Sequence, residues 1–295
     1  MAEKKLRFAI FGNTYQAKKS ASIREILVCL YRRGAEIYME RKFYEFLSGG
    51  DSAGIEVSGV FDDDAFDADF VISMGGDGTM LRSAAYVSGK DIPIIGVNMG
   101  RLGFLAHICP DSVEEAFGEL FAGRYEVEEH SVIQVSAGGH IPAGFHCALN
   151  DISILKRDNA SMISICTRIN GEYLTTYRAD GLIITTPTGS TAYSLSNGGP
   201  IIVPRTGILC LTPVAPHSLN IRPLVVPDDA VITLTVESRS HNFLIAADGR
   251  SADCHEGVSL EIKKAPYTIK TVKRPNSSYF ATLREKMMWG ADTRL

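Results

Sequence analysis

The chain has 295 residues, 45% hydrophobic and 22% charged, with 30 lysines and arginines against 34 aspartates and glutamates. That is the composition of a folded protein of about two domains, and it excludes intrinsic disorder. A net charge of −4 argues against a broad nucleic-acid footprint, which needs a clustered basic surface, and leaves room for a small polyanion at one local site.

In chain order, residues 6–11 are a short apolar run ending at Gly12-Asn13, as a buried strand would. Residues 22–33 put Ile23, Ile26, Leu27 and Leu30 at helical spacing before Gly34 stops the helix. A second strand is predicted over 36–39 and a second helix over 41–47. The strand at 70–74 runs directly into Gly75-Gly76-Asp77-Gly78, and a helix follows over 79–87. Another strand at 92–97 leads into a glycine-rich turn through Gly103, then a helix over 111–121 capped by Asp111 or Ser112. This alternation predicts an open, mostly parallel α/β sheet.

Near Tyr125 the pattern changes to short β-like runs at 132–136, 162–169, 231–236, 243–247, 258–262 and 267–272. Asn170-Gly171 is a two-residue hairpin signal between two such runs. A sandwich-like all-β domain is therefore expected, and a helix over 277–289 is expected to return to the first domain. The expected boundaries are 1–125, 126–274 and 275–295. Uncharged stretches such as 181–204 are rich in Gly, Pro, Ser and Thr, so no membrane span is predicted. Lys4, Lys5 and Arg7 precede only a short apolar run broken by Asn13, so no signal peptide is expected. Cys29, Cys109, Cys147, Cys166, Cys210 and Cys254 form no CxxC, which predicts scattered reduced thiols in a cytoplasmic protein.

The sharpest local feature is Gly75-Gly76-Asp77-Gly78-Thr79, where a predicted strand ends and a helix begins. Open α/β sheets bind ligands at that end of their strands. Glycines let backbone N–H groups approach phosphate oxygens, and the helix N-terminus adds donors. A carboxylate beside phosphates is repelled unless it handles a proton or a metal, so general-base work on a hydroxyl would explain Asp77. The alternative is a tight turn with Asp77 as a helix cap. No GxGxxG occurs here and no GxxxxGK[ST] anywhere, which disfavours an ordinary dehydrogenase and a P-loop NTPase.

Three further segments draw attention. Residues 98–105, from Asn98 to Leu105, read as a second tight crossing after a strand or as a plain βα loop. If residues 176–180 are extended, Arg178 and Asp180 share a face and could hold a polar ligand. The run 187–200 carries hydroxyls at Thr188, Ser190, Thr191, Tyr193, Ser194 and Ser196, and reads as a wrap around a polar ligand or a surface Ω-loop. Asn150-Asp151 and Asp248-Gly249-Arg250 taken alone are routine turn chemistry. His217 has no Ser or Cys nucleophile in a recognisable frame.

Together, Gly75–Thr79, residues 98–105, Asn150-Asp151, residues 178–181 and residues 185–200 resemble the NAD kinase family in order and approximate spacing. Ser278-Tyr279-Phe280-Ala281-Thr282-Leu283 is similar to that family's closing helix. The resemblance spans nearly the whole chain. Phosphofructokinases and diacylglycerol kinases share the glycine–aspartate motif, whereas the run 185–200 is highly specific. It implies an N-terminal open Rossmann-like α/β domain, a β-sandwich domain, and a C-terminal helix packing on the first. It implies transfer of the γ-phosphoryl group of ATP to the 2′-hydroxyl of the adenosine ribose of NAD, giving NADP. Mg²⁺ or another divalent cation would arrive with ATP, with no metal site of the protein's own. A homo-oligomer, dimer or tetramer, is implied, with no nucleic-acid or membrane partner.

Residue by residue, the resemblance makes Asp77 the general base. It places substrate contacts at Gly76, Gly78, Thr79, Arg82, Asn98 and Phe104, and at Asn150, Asp151, Ser161, Arg178 and Asp180. Thr188, Thr191, Ala192, Tyr193, Ser194, Leu195 and Ser196 would embrace the dinucleotide. Asp151 stands where the family usually has Glu, one methylene longer, and Arg250 where other members often carry Gln. A lipid or sugar kinase would explain Asp77 but not residues 185–200. A non-catalytic nucleotide-binding regulator would not need Asp77.

Overall fold

The computed structural model describes residues 5–14, 20–49, 56–100, 103–138, 146–158, 161–275 and 277–290. Two compact units emerge, one holding the chain up to Glu129 and from Ile269 onward, the other spanning His130–Thr268.

The first unit is α/β. Its elements in order are β1 (Arg7–Gly12), α1 (Ser20–Arg32), β2 (Glu36–Glu40), α2 (Arg41–Ser48), β3 (Gly59–Phe61), β4 (Phe70–Gly75), α3 (Asp77–Val87), β5 (Ile94–Asn98) and α4 (Val113–Phe121). All strand pairings among these five are parallel, in the order β3-β2-β1-β4-β5. Strands β4 and β5 are buried along their whole length, as expected of a sheet covered on both faces. Alternate side chains divide the labour. Phe8 and Ile10 join Ile26, Leu30, Phe43 and Phe117 in one core, whereas Phe11 faces the other way and stacks on Tyr86 of α3 at 5.5 Å. The chain order reverses where β1 lies beside β4, and the carboxyl ends of those two strands, Gly12 and Gly75, lie at that switch point. Open parallel sheets place ligands in such a crevice.

The second unit is β-rich. It comprises β6 (Glu126–Ser136, from His130), β7 (Cys147–Ala148), β8 (Asp151–Lys156), β9 (Ile163–Ile169), β10 (Glu172–Ala179), β11 (Gly181–Thr185), α5 (Tyr193–Ser196), β12 (Ile208–Val214), β13 (Leu224–Pro227), β14 (Ile232–Glu237), β15 (Asn242–Ala247), β16 (Arg250–His255) and β17 (Ser259–Lys273, to Thr268). One antiparallel sheet runs β13-β12-β11-β8-β15-β16, and a second contains β10-β9-β14-β17. Their inward residues, among them Ile154, Ile184, Leu211, Ile165, Leu234 and Phe243, share one core, which makes a sandwich. Asn170-Gly171 forms the expected hairpin, with φ of 52° and 83° as a type I′ turn requires.

Two expectations need correction. The runs 258–262 and 267–272 are one strand, β17; Lys263, Lys264 and Pro266 break the apolar pattern but not the pleat, which continues with Ala265 buried. The extended segment through Arg178 stops at Ala179. Asp180 already pairs with the other sheet, its N–H donating to the Val214 carbonyl and its carbonyl accepting from Lys156 N–H. Gly181 permits this crossing, because a Cβ there would strike the Ile154 carbonyl oxygen. The last helix, α6 (Tyr279–Met287), packs on the first unit through residues described below.

Candidate functional site

Sequence dictates the glycine–aspartate corner directly. β4 ends at Gly75, where any Cβ would collide with Thr79 Oγ1. Gly76 is extended at the cap position of α3 and Asp77 is the first helical residue. Asp77 does not cap its own helix, so the capping alternative fails. Its carboxylate turns to the loop after β5, where Oδ2 accepts from Phe104 N–H at 3.0 Å and Oδ1 from Leu105 N–H at 3.0 Å. Gly103 lines this cradle, since a Cβ there would collide with Asp77 Oδ1. Burial pushes the Asp77 carboxyl up, but the two amides and the Lys286 ammonium outweigh it and hold the group below the usual carboxylate range. Asp77 is thus an ionised carboxylate at neutral pH, half-buried, at the rim of the sheet.

Besides the loop after β5, Asp77 is met by the last helix. Lys286 of α6 puts Nζ 3.2 Å from Asp77 Oδ2 and 4.4 Å from the Phe104 ring centroid. The Phe104 ring also contacts Tyr279, at 6.1 Å between centroids. Asn98 is buried and its Oδ1 accepts from Gly100 N–H at 2.9 Å, pinning the start of the loop. Arg101 and Leu102 of that motif lie outside the described residues. Gly76 and Gly78 would meet nothing within 4 Å of an added Cβ, so their backbone is open to a ligand. Arg82 is engaged elsewhere: Nη2 donates to the Gly12 carbonyl at 2.6 Å, and the guanidinium pairs with the buried Glu40 carboxylate at 3.1 Å.

In the second unit the Asn150 corner is held by a residue that sequence reasoning treated as turn material only. Asp248 accepts from the N–H groups of Leu149, Asn150 and Asp151, at 2.8, 2.8 and 3.3 Å. The Asn150 carbonyl accepts from Thr185 Oγ1 and Thr186 N–H, and Thr186 Oγ1 donates to the Leu149 carbonyl at 2.6 Å. Gly189 packs against the Asn150 carbonyl so closely that no Cβ fits. What remains is Asn150 Oδ1, a buried acceptor without a partner among the described residues. Beside it, burial and the nearby Asp248 charge push the Asp151 carboxyl up to about 7.

The hydroxyl-rich run is not a surface Ω-loop. Residues Thr188–Thr191 form a 3₁₀ turn and α5 follows. Ser190 and Ser194 are fully buried. Ser190 Oγ bonds the Pro187 carbonyl and the Ile202 N–H, and Ser194 Oγ bonds Thr212 Oγ1 at 2.9 Å. The expectation that their hydroxyls wrap a ligand is therefore corrected: buried hydroxyls must find partners, and these find them inside the protein. Thr188 Oγ1 meets His130 Nδ1 at 3.1 Å. Thr191, Ala192 and Leu195 are partly exposed, and Tyr193 and Ser196 more so. Arg250 donates to the Cys147 carbonyl at 2.9 Å. Arg178 and Ser161 line an open groove of about 480 Å³ with Ser164, Glu237 and Arg239. Asp180 pairs with Lys156 at 2.8 Å.

Among the described residues no group of three or more His, Cys, Asp or Glu side chains could hold a metal ion. The Asp77 carboxylate is met by amides and an ammonium, which are donors and not metal ligands. These residues do not fit a resident cation. Lys286 and Asp248 escaped sequence reasoning because each acts through a partner some 100 or 200 positions away, as the separations of 98 and 209 residues show.

A doubly wound sheet whose switch-point loop cradles an ionised carboxylate, with a β-sandwich following in the chain, defines a phosphate-handling enzyme of the kinase type that uses a glycine–aspartate corner. Comparison with known proteins narrows this. A family model described as the ATP-NAD kinase N-terminal domain matches residues 8–125, and one described as the ATP-NAD kinase C-terminal domain matches 149–274. The NAD kinase of Bacteroides fragilis is 56% identical over 290 residues, covering 98% of this chain and 100% of that one. The crystal structure of an NAD kinase from Archaeoglobus fulgidus in complex with ATP superposes with a TM-score of 0.75 at 27% identity, covering 96% of this chain and 99% of that one. Yeast NADH kinase, at 22% identity and a TM-score of 0.88 over 100% of this chain and 91% of that one, shares the fold. The chain belongs to the ATP-NAD kinase family, and its enzyme class is NAD kinase.

Proposed function

We propose that the enzyme transfers the γ-phosphoryl group of ATP to the 2′-hydroxyl of the adenosine ribose of NAD, giving NADP, and that Asp77 accepts the hydroxyl proton. The observation that carries this reading is the Asp77 carboxylate, ionised and aimed by two backbone amides at the sheet's switch point. A ribose hydroxyl is a poor nucleophile at neutral pH, and a carboxylate that takes its proton in the transition state contributes about 10²–10⁴-fold. Fixed amides keep the acceptor oriented before the substrate arrives, so little reorganisation is needed during transfer.

ATP as donor is supported by the ATP complex of the Archaeoglobus relative. The open backbone of Gly76 and Gly78 and the N-terminus of α3 suit its phosphates. We assign Asn150 and Asp151 to the dinucleotide: an orphaned buried acceptor beside a carboxyl that titrates near neutrality suits sugar hydroxyls. Arg178 and Asp180 are assigned to its phosphate and nicotinamide portions, and the exposed edge of 188–196 to its remaining contacts. A divalent cation travels with ATP, and the enzyme works as a cytoplasmic homo-oligomer. The test is incubation of purified protein with NAD, Mg²⁺ and either ATP or polyphosphate, read by an NADP-coupled assay. Asp77→Asn is expected to keep the fold and NAD binding and to lose about 10²–10⁴ in turnover; near-normal turnover in that variant would refute the general-base role.

A further inference from the structure

Helix α6 carries Tyr279, Leu283 and Lys286 at i, i+4 and i+7, which is one helix face. Leu283 is buried and Tyr279 contacts the Phe104 ring, so this face docks on the first unit. The Lys286 side chain is 30% exposed, and its ammonium turns toward Asp77 rather than into open solvent. Among the described residues, Lys286 Nζ meets Asp77 Oδ2 at 3.2 Å and the face of Phe104 at 4.4 Å. Phe104 also supplies one of the amides that orient Asp77. Arg82 of α3, by contrast, is held by the Gly12 carbonyl and the Glu40 carboxylate.

Phosphoryl transfer places a triphosphate beside the Asp77 carboxylate, and the transition state spreads negative charge over the equatorial oxygens of the moving group. A hydroxyl bonded to Asp77 Oδ2 at about 2.7 Å lies within about 6 Å of an ammonium that is 3.2 Å from the same oxygen. The flexible four-carbon stem of lysine closes the remaining gap. We propose that Lys286 is a catalytic cation: paired with Asp77 in the free enzyme, it moves to the transferring phosphoryl oxygens when both substrates are bound. The proposal rests on the reading of Asp77 as proton acceptor. In the step, the ribose oxygen–phosphorus bond forms and the bond from the γ-phosphorus to the bridging oxygen of ADP breaks. The hydroxyl proton passes to Asp77, ADP leaves with the bonding electron pair, and Lys286 stays protonated throughout. The Phe104 ring keeps the ammonium near this path without a hydrogen bond to break.

The experiment compares Lys286→Met, Lys286→Arg and Lys286→Ala with the parent enzyme for kcat, for the KM of each substrate, and for melting temperature. For Lys286→Met the expected result is a kcat lower by about 10²-fold, in the range for loss of one preorganised charge-stabilising donor, with both KM values within about threefold. Lys286→Arg keeps the charge and is expected to recover at least a tenth of the parent kcat. Ethylammonium added to Lys286→Ala is expected to raise kcat in a saturable way, whereas sodium chloride at equal ionic strength is not. A Lys286→Met enzyme within twofold of the parent kcat overturns the proposal, as does a loss carried wholly by KM. If Lys286→Met melts early, the amine test on Lys286→Ala decides: rescue supports the proposal and no rescue overturns it. Asp77→Asn measured alongside separates the two readings. An active Asp77→Asn removes the general base beneath the proposal, whereas an inactive Asp77→Asn with an unslowed Lys286→Met removes the lysine's role alone.

Discussion

Gly103→Ala is the sharpest probe of the cradle. An alanine Cβ at this position would lie 2.8 Å from Asp77 Cγ and 3.1 Å from Oδ2, where carbon atoms ordinarily stand about 3.5–4 Å apart. The carboxylate must therefore retreat by roughly 0.7 Å or more to restore an ordinary contact, and the hydrogen bonds from Phe104 and Leu105 lengthen with it. Displacement of a reacting group by about 1 Å can cost on the order of 10²-fold in rate. Unpairing part-buried amides costs about 1–3 kcal/mol in stability. Initial rates of NADP formation and urea midpoints read the two effects. The cause is isolated by repeating the substitution in an Asp77→Ala background, where the clash is gone and Gly103→Ala should cost little further stability. Parent-like turnover in the single variant, or an equal stability loss in both backgrounds, would refute the steric argument.

The Asp151 carboxyl has an ordinary value of 3.8 and stands at about 7 in the native state. The folded protein therefore holds a proton that the unfolded chain releases, and stability falls as pH rises from about 4 to 7. Asp151→Asn is expected to gain stability relative to the parent at pH 8 but not at pH 4, by a few kcal/mol at most; urea midpoints at the two pH values check it, and an equal gap at both contradicts it. Thr186→Val deletes a buried hydroxyl that donates to the Leu149 carbonyl and accepts from Gly189 N–H, so a loss of about 1–3 kcal/mol is expected by chemical denaturation. Arg178→Gly is expected to change the ratio of rates with NAD and NADH, a planar cation near a nicotinamide being sensitive to its charge; an unchanged ratio ends that assignment.

Local chemistry made much of the architecture readable. β1, β4 and β5 are short apolar runs closed by glycine or asparagine, and Asn170-Gly171 has the two left-handed residues its turn requires. The glycine–aspartate corner was visible because Gly75 and Asp77 act within a few residues of each other. What stayed hidden depends on pairing between distant segments. Nothing near Asp180 signals that the chain leaves one sheet for the other, because the partner that forbids a side chain at Gly181 is the Ile154 carbonyl. The strand order that places Gly12 beside Gly75 is likewise a product of packing. Asp248 looked like one more turn residue, and only the fold shows three amides converging on it. Serines 190 and 194 misled in the other direction, since residue type alone does not tell an outward hydroxyl from an inward one.

Under the proposed role of residues 188–196 in holding the dinucleotide, the inward turn of those two serines has a consequence for how a guest is chosen. With their hydroxyls bonded to Pro187, Ile202 and Thr212, residues 188–196 are set like a plaster cast before any visitor comes. Their stiffening is completed during folding, so docking need not freeze them again. Such a wall sorts molecules by contour more than by donor count. Alanine at outward Ser196 should pass almost unnoticed, whereas a single methyl added at Gly189 or Gly199 would push against the Asn150 carbonyl or Ser194 Oγ and warp the whole mould.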